Sequence, residues 1–188
     1  MNIEKNVKAI NRLFEKIGKS DTKFLAHAGI MCPSGCGECC LGKNIAASPL
    51  EFLPYSYHLF LEGTLEEKYW AMKDNPPTYC VLLSYNEETK FGYCSEYERR
   101  GVICRLFGNA AMVGKDGEKK FSGCKLLKSQ IGDEVKFNAS VQKYAPVYSN
   151  FYIQLEAIDL EYGSLLLPIN EAIMKSMEIV FYNMRKDE

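Results

Sequence analysis

Residues 32–40 read CPSGCGECC and place Cys32, Cys36, Cys39 and Cys40 within nine positions. Isolated buried cysteines commonly act as small hydrophobes, a role that suits Cys80 or Cys124 taken alone. It does not suit a cluster interrupted by Gly35 and Gly37 and followed by Gly42, because glycine permits turns that other residues resist. Thiolates bind zinc and iron strongly, and zinc requires its sulfur ligands to converge to about 2.3 Å. Cysteines separated by two or three residues in a turn meet that demand, as do Cys36 with Cys39 and Cys32 with Cys36. The intervening glycines also let backbone N–H groups aim at sulfur, which offsets the negative charge of a thiolate-rich site. Cys39 and Cys40 pose a separate question, since adjacent side chains of an extended chain point to opposite faces. Either the pair serves two neighbouring sites, or one member is a ligand and the other a reactive or packing thiol.

Working outward, Cys80, Cys94, Cys104 and Cys124 bring the total to eight, enough for one or two metal centres gathered from residues of about 31–125. Cys94 and Cys104 flank Glu96, Glu98, Arg99 and Arg100, and Arg105 follows Cys104 directly. A guanidinium beside thiolates offsets charge and donates to sulfur, and Arg105 is read in that role. Arg99, Glu96 and Glu98 are equally readable as ion pairs with one another. The two histidines, His27 and His58, are too few for a multi-histidine site and are read as structural. Glu156, Asp159 and Glu161 are read as a solvated helix face. The C-x3-C-x2-C spacing of Cys32, Cys36 and Cys39 also occurs in radical S-adenosylmethionine enzymes. Those enzymes set it on a largely parallel α/β barrel, and no βαβ series is legible in this chain.

The flanking segments are mostly helical. Ile3, Val7, Ile10, Phe14 and Ile17 recur at helical spacing and predict a helix over 2–17, stopped by Gly18. Asp21 is expected to cap a second short helix over 21–30. Ser48 is expected to cap a helix through 50–63 that Pro54 threatens to kink. Thr64 and Glu67 form a capping-box pattern before a helix that Asn75-Pro76-Pro77 ends. Strands at 81–85 and 90–94 around the turn 86–89 predict a hairpin, and Lys115-Asp116-Gly117 predicts another. Tyr144, Tyr148, Tyr152 and Leu155 carry a helical pattern over 139–162, its main helix starting near Pro146. Asn170 is expected to cap a last helix with Ile173, Met177, Val180 and Met184 as its stripe.

The chain of 188 residues carries 23 basic and 24 acidic side chains, a net charge of −1. Nucleic-acid binders usually show a basic excess, so no nucleic-acid partner is expected. No apolar run approaches the roughly 18 residues of a membrane span. The opening MNIEKNVKAINRLFEKIG has no apolar segment of about 7–15 residues, so no secretory signal is expected. The expected location is cytoplasmic, where thiols stay reduced and disulfides are rare. With 47% hydrophobic residues and no repeat or linker, a single domain over 1–188 is expected.

The ordered cysteine segments resemble those of a known family, the CxxCxxCC or YkgJ-like zinc- or iron-chelating domains. Its first element is matched by Cys32-Pro-Ser-Gly-Cys36-Gly-Glu-Cys39-Cys40, with one extra residue in the first gap. Its lone cysteine in a CPFL-like segment is matched by Cys80-Val81-Leu82-Leu83. Its C-x-x-Y-E-x-R-P-x-x-C-R-x-F stretch is matched from Cys94 to Phe107, with Gly101 standing where the family usually has proline. The resemblance implies zinc, iron or an iron–sulfur cluster held by cysteines, and implies no reaction. A similar cluster appears in flagellin lysine methylases.

The expectation is therefore a mainly α protein with small β-hairpins, in which a cysteine-rich metal-binding loop region rests on a helical bundle from 2–17 and 140–184. The candidate metal ligands are Cys32, Cys36, Cys39, Cys40, Cys80, Cys94, Cys104 and Cys124. The expected cofactor is zinc or iron, a 4Fe–4S cluster being one form. The expected function is metal binding. An iron–sulfur redox or protein-modifying enzyme and a zinc-stabilised protein-interaction module are the alternatives.

Overall fold

The computed structural model describes residues 1–42, 44–89 and 91–185. Lys43, within the expected cysteine loop, and Lys90, the first residue of an expected strand, lie outside the described residues, as do 186–188. Nine α-helices and three two-stranded antiparallel sheets are present among the described residues. The mainly α expectation therefore holds. The strand pairs are small and antiparallel, apart from an isolated parallel bridge between Ala111 and Val147.

The first helix, α1 (Ile3–Ala28), corrects the expected break at Gly18. An interior glycine costs a helix about 1 kcal/mol, but the buried stripe of Ile10, Leu13, Phe14 and Ile17 continues to Phe24, and its burial outweighs that cost. The helix ends instead at Gly29, which adopts the left-handed conformation. Asp21 is not a cap; it is mid-helix and accepts a hydrogen bond from Asn109 at 3.0 Å.

Ser48 opens a 3-10 turn (Pro49–Phe52) that leads into α2 (Leu53–Leu61), and α3 (Leu65–Asp74) follows. Pro54 is tolerated because it falls in the first turn of α2, where its missing N–H has no intrahelical acceptor to lose. Thr64 makes no side-chain cap bond, contrary to the capping-box expectation. The pair β1 (Ala46–Ala47) and β6 (Leu167–Pro168) joins the start of this region to the start of the last helix. The hairpin β2 (Leu83–Asn86) and β3 (Phe91–Cys94) pairs Leu83 with Cys94 and Tyr85 with Gly92. A short helix α4 (Val102–Leu106) then precedes the hairpin β4 (Ala111–Val113) and β5 (Lys119–Phe121).

The expected helical pattern over 139–162 is divided among α6 (Glu134–Tyr144), α7 (Tyr148–Glu156) and α8 (Leu160–Ser164), with α5 (Lys125–Lys128) before them. Pro146 separates α6 from α7, and Asp159 caps α8 by accepting from the Tyr162 N–H at 3.1 Å. The final helix α9 (Ile169–Met184) buries Ile173, Met177 and Val180. Asn170 does not cap it. Its side chain reaches sideways, accepting from Val81 N–H at 2.9 Å and donating to Tyr79 O at 2.8 Å.

Two apolar cores result. The larger joins α1, α2, α7 and α9 around Ile10, Ile17, Leu53, Leu155 and Met177. The smaller gathers Phe24, Ile30, Leu127, Phe137 and Val141, with Phe121 and Phe137 edge to face at 5.1 Å. One buried carboxylate, Glu51, ties segments of the larger core together. It accepts from Ser48 N–H at 2.9 Å, Ile103 N–H at 2.7 Å and the Tyr152 hydroxyl at 3.1 Å.

Burial pushes Glu51 up to about 7 from its ordinary 4.5. The folded protein thus retains a proton that the unfolded chain releases. That stabilisation is complete below about pH 4.5 and is lost as pH rises through about 7. Glu51→Gln removes the titration. The melting temperature of the native protein is therefore expected to fall relative to that of the variant between pH 4.5 and 7.5, over a span worth on the order of 3 kcal/mol. A constant difference across that range would contradict the assignment; parallel thermal melts supply the measurement.

Candidate metal centre

All eight cysteines line one cavity of about 740 Å³. They come from distant parts of the sequence, so the fold assembles what the chain separates. The cysteine loop supplies Cys32 and Cys36, and its 3-10 turn (Glu38–Leu41) carries Cys39 and Cys40. Cys80 precedes β2, Cys94 ends β3, Cys104 sits in α4 and Cys124 caps α5. All eight are free thiols. His27 and His58 lie elsewhere: the His27 ring stacks on Tyr144 at 3.9 Å, and His58 faces Glu62 at 3.2 Å. Glu156, Asp159 and Glu161 are likewise absent from the cavity wall.

Two glycines explain how the loop reaches its place. Gly35 and Gly37 both have positive φ, 72° and 62°, where a side chain is strained. A Cβ on Gly37 would stand 2.8 Å from the backbone of Gly92, and one on Gly35 would strike the Phe91 ring. The loop thus lies flat on the β2–β3 hairpin, joined by a Gly92 N–H bond to Gly35 O at 3.2 Å. Gly42, expected to turn similarly, is in an ordinary extended conformation. Gln130 holds the loop's start by accepting from Met31 N–H at 2.8 Å and donating to Met31 O at 3.0 Å.

The remaining thiols stand on rigid supports. Asn170 fixes the strand entry beside Cys80 through its bonds to Val81 and Tyr79. Glu51 fixes the first turn of α4, one residue before Cys104. Gly101 lies so close to that carboxylate that a Cβ would stand 2.9 Å from its Oε2. A proline in its place, as in the family pattern, would press on the same oxygen. Sequence reasoning missed Asn170 as a site support and Glu51 altogether, although Ser48-x-x-Glu51 has capping-box spacing.

Backbone N–H groups do aim at sulfur. The Leu127 N–H donates to Cys124 Sγ at 3.5 Å. Those of Leu82 and Glu96 favour the thiolates of Cys80 and Cys94. Among the described residues, the cation on the cavity wall is Arg100, which stacks over Tyr97 at 3.9 Å. Its charge favours the thiolates of Cys39 and Cys94. Arg105, expected to offset charge and donate to sulfur, does the first and not the second: its charge and those of the Cys104 and Cys94 thiolates favour one another, while it donates to Arg100 O at 3.0 Å and to Glu98 O and its guanidinium covers Phe14 at 4.1 Å. Arg99 pairs with Glu96 at 3.0 Å.

Thiol acidity varies sharply around the wall. A hydrogen bond from the Cys40 thiol, helped by Arg100, lowers Cys39 to about 6. Cys40 correspondingly holds its proton. Burial pushes Cys80 up to about 11 and Cys104 well above the ordinary thiol value. The donor set consists of soft sulfur, with Glu38 the one carboxylate on the wall among the described residues. That chemistry fits zinc, iron or an iron–sulfur cluster and disfavours hard cations such as magnesium. Among the described residues, no three donors stand close enough together to hold an ion as placed.

A family model described as CxxCxxCC, putative zinc- or iron-chelating domain, matches residues 31–131, more than half of the chain. No curated protein and no solved structure matches. Among the described residues, no helix is long and apolar enough to cross a membrane.

Alkylation tests the acidity pattern, because the thiolate is the nucleophile. In reduced, metal-free protein at pH 7, iodoacetamide is expected to modify Cys39 at least ~10-fold faster than Cys104. Peptide mass spectrometry reads the rates, and comparable rates at the two positions would contradict the pattern.

Proposed function

Because the chain belongs to the CxxCxxCC family of zinc- or iron-chelating domains, we propose that it holds zinc, iron or an iron–sulfur cluster through its clustered cysteines. We infer further that residues of about 31–125 form the metal-binding part of one domain spanning 1–188. The observation that carries this reading is the convergence of all eight cysteines on one cavity from a loop, a hairpin and two helices. When bound, such a group supplies a cross-link between segments and, with a position left open, Lewis-acid or redox chemistry.

The chain's own residues do the positioning. Glu51 and Asn170 hold the segments of Cys104 and Cys80, Gly35 and Gly37 seat the loop, and Arg100 offsets thiolate charge. Thiols kept protonated by burial must release protons as metal binds, so affinity rises with pH through the thiol range. An enzyme reading, iron–sulfur redox or protein modification, is favoured by the cavity itself. Its volume of about 740 Å³ lies in the small-molecule range of roughly 300–1,000 Å³, and exposed Met31, Phe91, Tyr93, Tyr97 and Phe107 border it.

Protein purified without oxygen is expected to contain zinc or iron. A strong chelator is expected to lower its melting temperature by roughly 10 °C, the shift for about 4 kcal/mol of ligand stabilisation in a chain of this size. Iron with acid-labile sulfide and visible absorption would identify a cluster, and colourless protein with zinc a tetrathiolate site. Metal-free protein whose melting ignores chelator would overturn the proposal.

A further inference from the structure

The eight thiols share a cavity, but they do not share surroundings. Cys80 is buried in the larger core, and Cys40, Cys94 and Cys104 pack against that same core. Cys124 packs against the smaller core instead. A second cavity, of about 1,090 Å³, is lined by Cys36, Cys39 and Cys124 and by none of the four thiols of the larger core. Cys39 and Cys40 form the boundary. Successive side chains of a 3-10 turn diverge by about a third of a revolution. Accordingly Cys40 packs on the larger core, while Cys39 lines both cavities.

From this geometry, and resting on the metal-binding reading above, we propose two four-cysteine centres set back to back across the Cys39–Cys40 peptide. The inner centre uses Cys40, Cys80, Cys94 and Cys104. The outer centre uses Cys32, Cys36, Cys39 and Cys124. Four thiolates satisfy a closed zinc site or a cubane cluster, and loading draws each set inward from its present spacing. The centres differ in retention. The inner one is backed by the larger core and the β2–β3 hairpin. The outer one hangs largely on the cysteine loop, where Cys32 is exposed, so it exchanges metal first.

The test uses the full chain, stripped of metal anaerobically, reloaded with Zn²⁺ and freed of excess by gel filtration. Native protein is expected to retain about two zinc ions, one per cysteine quartet. The pair Cys32→Ser with Cys124→Ser, and the pair Cys80→Ser with Cys104→Ser, are each expected to retain about one. In the outer-pair background, Cys40→Ser is expected to weaken the remaining zinc more than ~10-fold while Cys39→Ser leaves it unchanged. If the inner pair fails to fold, the outer pair decides alone, because it spares the core. A native stoichiometry of about one, abolished by the outer pair, would mean a single shared centre and overturn the division. Loss on Cys39→Ser rather than Cys40→Ser would overturn the assignment. Native protein that binds no zinc or iron would instead sink the metal-binding reading on which the division rests.

Discussion

The position of one thiol on the cavity wall depends on a carboxylate that has no water to lean on. Glu51 is buried, and an ionised carboxylate in such a place is costly unless hydrogen bonds compensate it. Ser48, Ile103 and Tyr152 provide those bonds from three separate segments. The arrangement works in both directions. Each donor satisfies the carboxylate, and the carboxylate in turn fixes the 3-10 turn before α2, the start of α4 and the face of α7 relative to one another. Cys104 follows Ile103 directly, so the same bond that satisfies Glu51 also sets where that thiol begins. Gly101 leaves the space in which the carboxylate sits.

The thiol wall shows the opposite electrostatic situation. Eight potential anions converge where one guanidinium, Arg100, is the nearby cation on the wall among the described residues. Its charge cannot offset several thiolates, so burial keeps most of them protonated, Cys80 and Cys104 most clearly. Cys39 is the exception because Cys40 donates to it. A cation that enters the cavity displaces the proton of each thiol that binds it. The wall is thus neutral enough to fold and becomes anionic enough to chelate only in the presence of metal.

Much of this was legible in the chain. The cluster from Cys32 to Cys40 identified the donor type, and the helical stripes of α1 and α9 identified the supporting helices, because apolar spacing and thiol spacing are both local properties. The errors came where a local signal met a long-range one. Gly18 looks like a stop, yet the stripe running on to Phe24 carries α1 through it. Asn170 looks like a cap, yet it serves the Cys80 segment roughly ninety positions earlier. Arg105 adjoins a thiol in sequence and its charge bears on Cys104, yet its guanidinium lies over Phe14 and the one on the cavity wall is that of Arg100. Glu51 was overlooked because its two most distant partners, Ile103 and Tyr152, cannot be inferred from a neighbouring pattern.

The distribution of supports around the cavity separates a rigid side from an adaptable one. Cys80, Cys94 and Cys104 sit on segments held by Asn170, by the β2–β3 ladder and by Glu51, all anchored to the larger core. The cysteine loop meets the larger core, among its cysteines, only through Cys40 at its end. Its register on the hairpin depends on two glycines whose backbone conformations other residues resist, and on the amide of Gln130. The stretch from Met31 to Gly37 is held at Gly35, Gly37 and Met31, by the hairpin backbone and the Gln130 amide rather than by the larger core. The alternation of Gly and Cys in CPSGCGECC therefore answers two demands at once. The cysteines supply soft donors, and the glycines bring the backbone close enough to the hairpin for donors on opposite walls to meet.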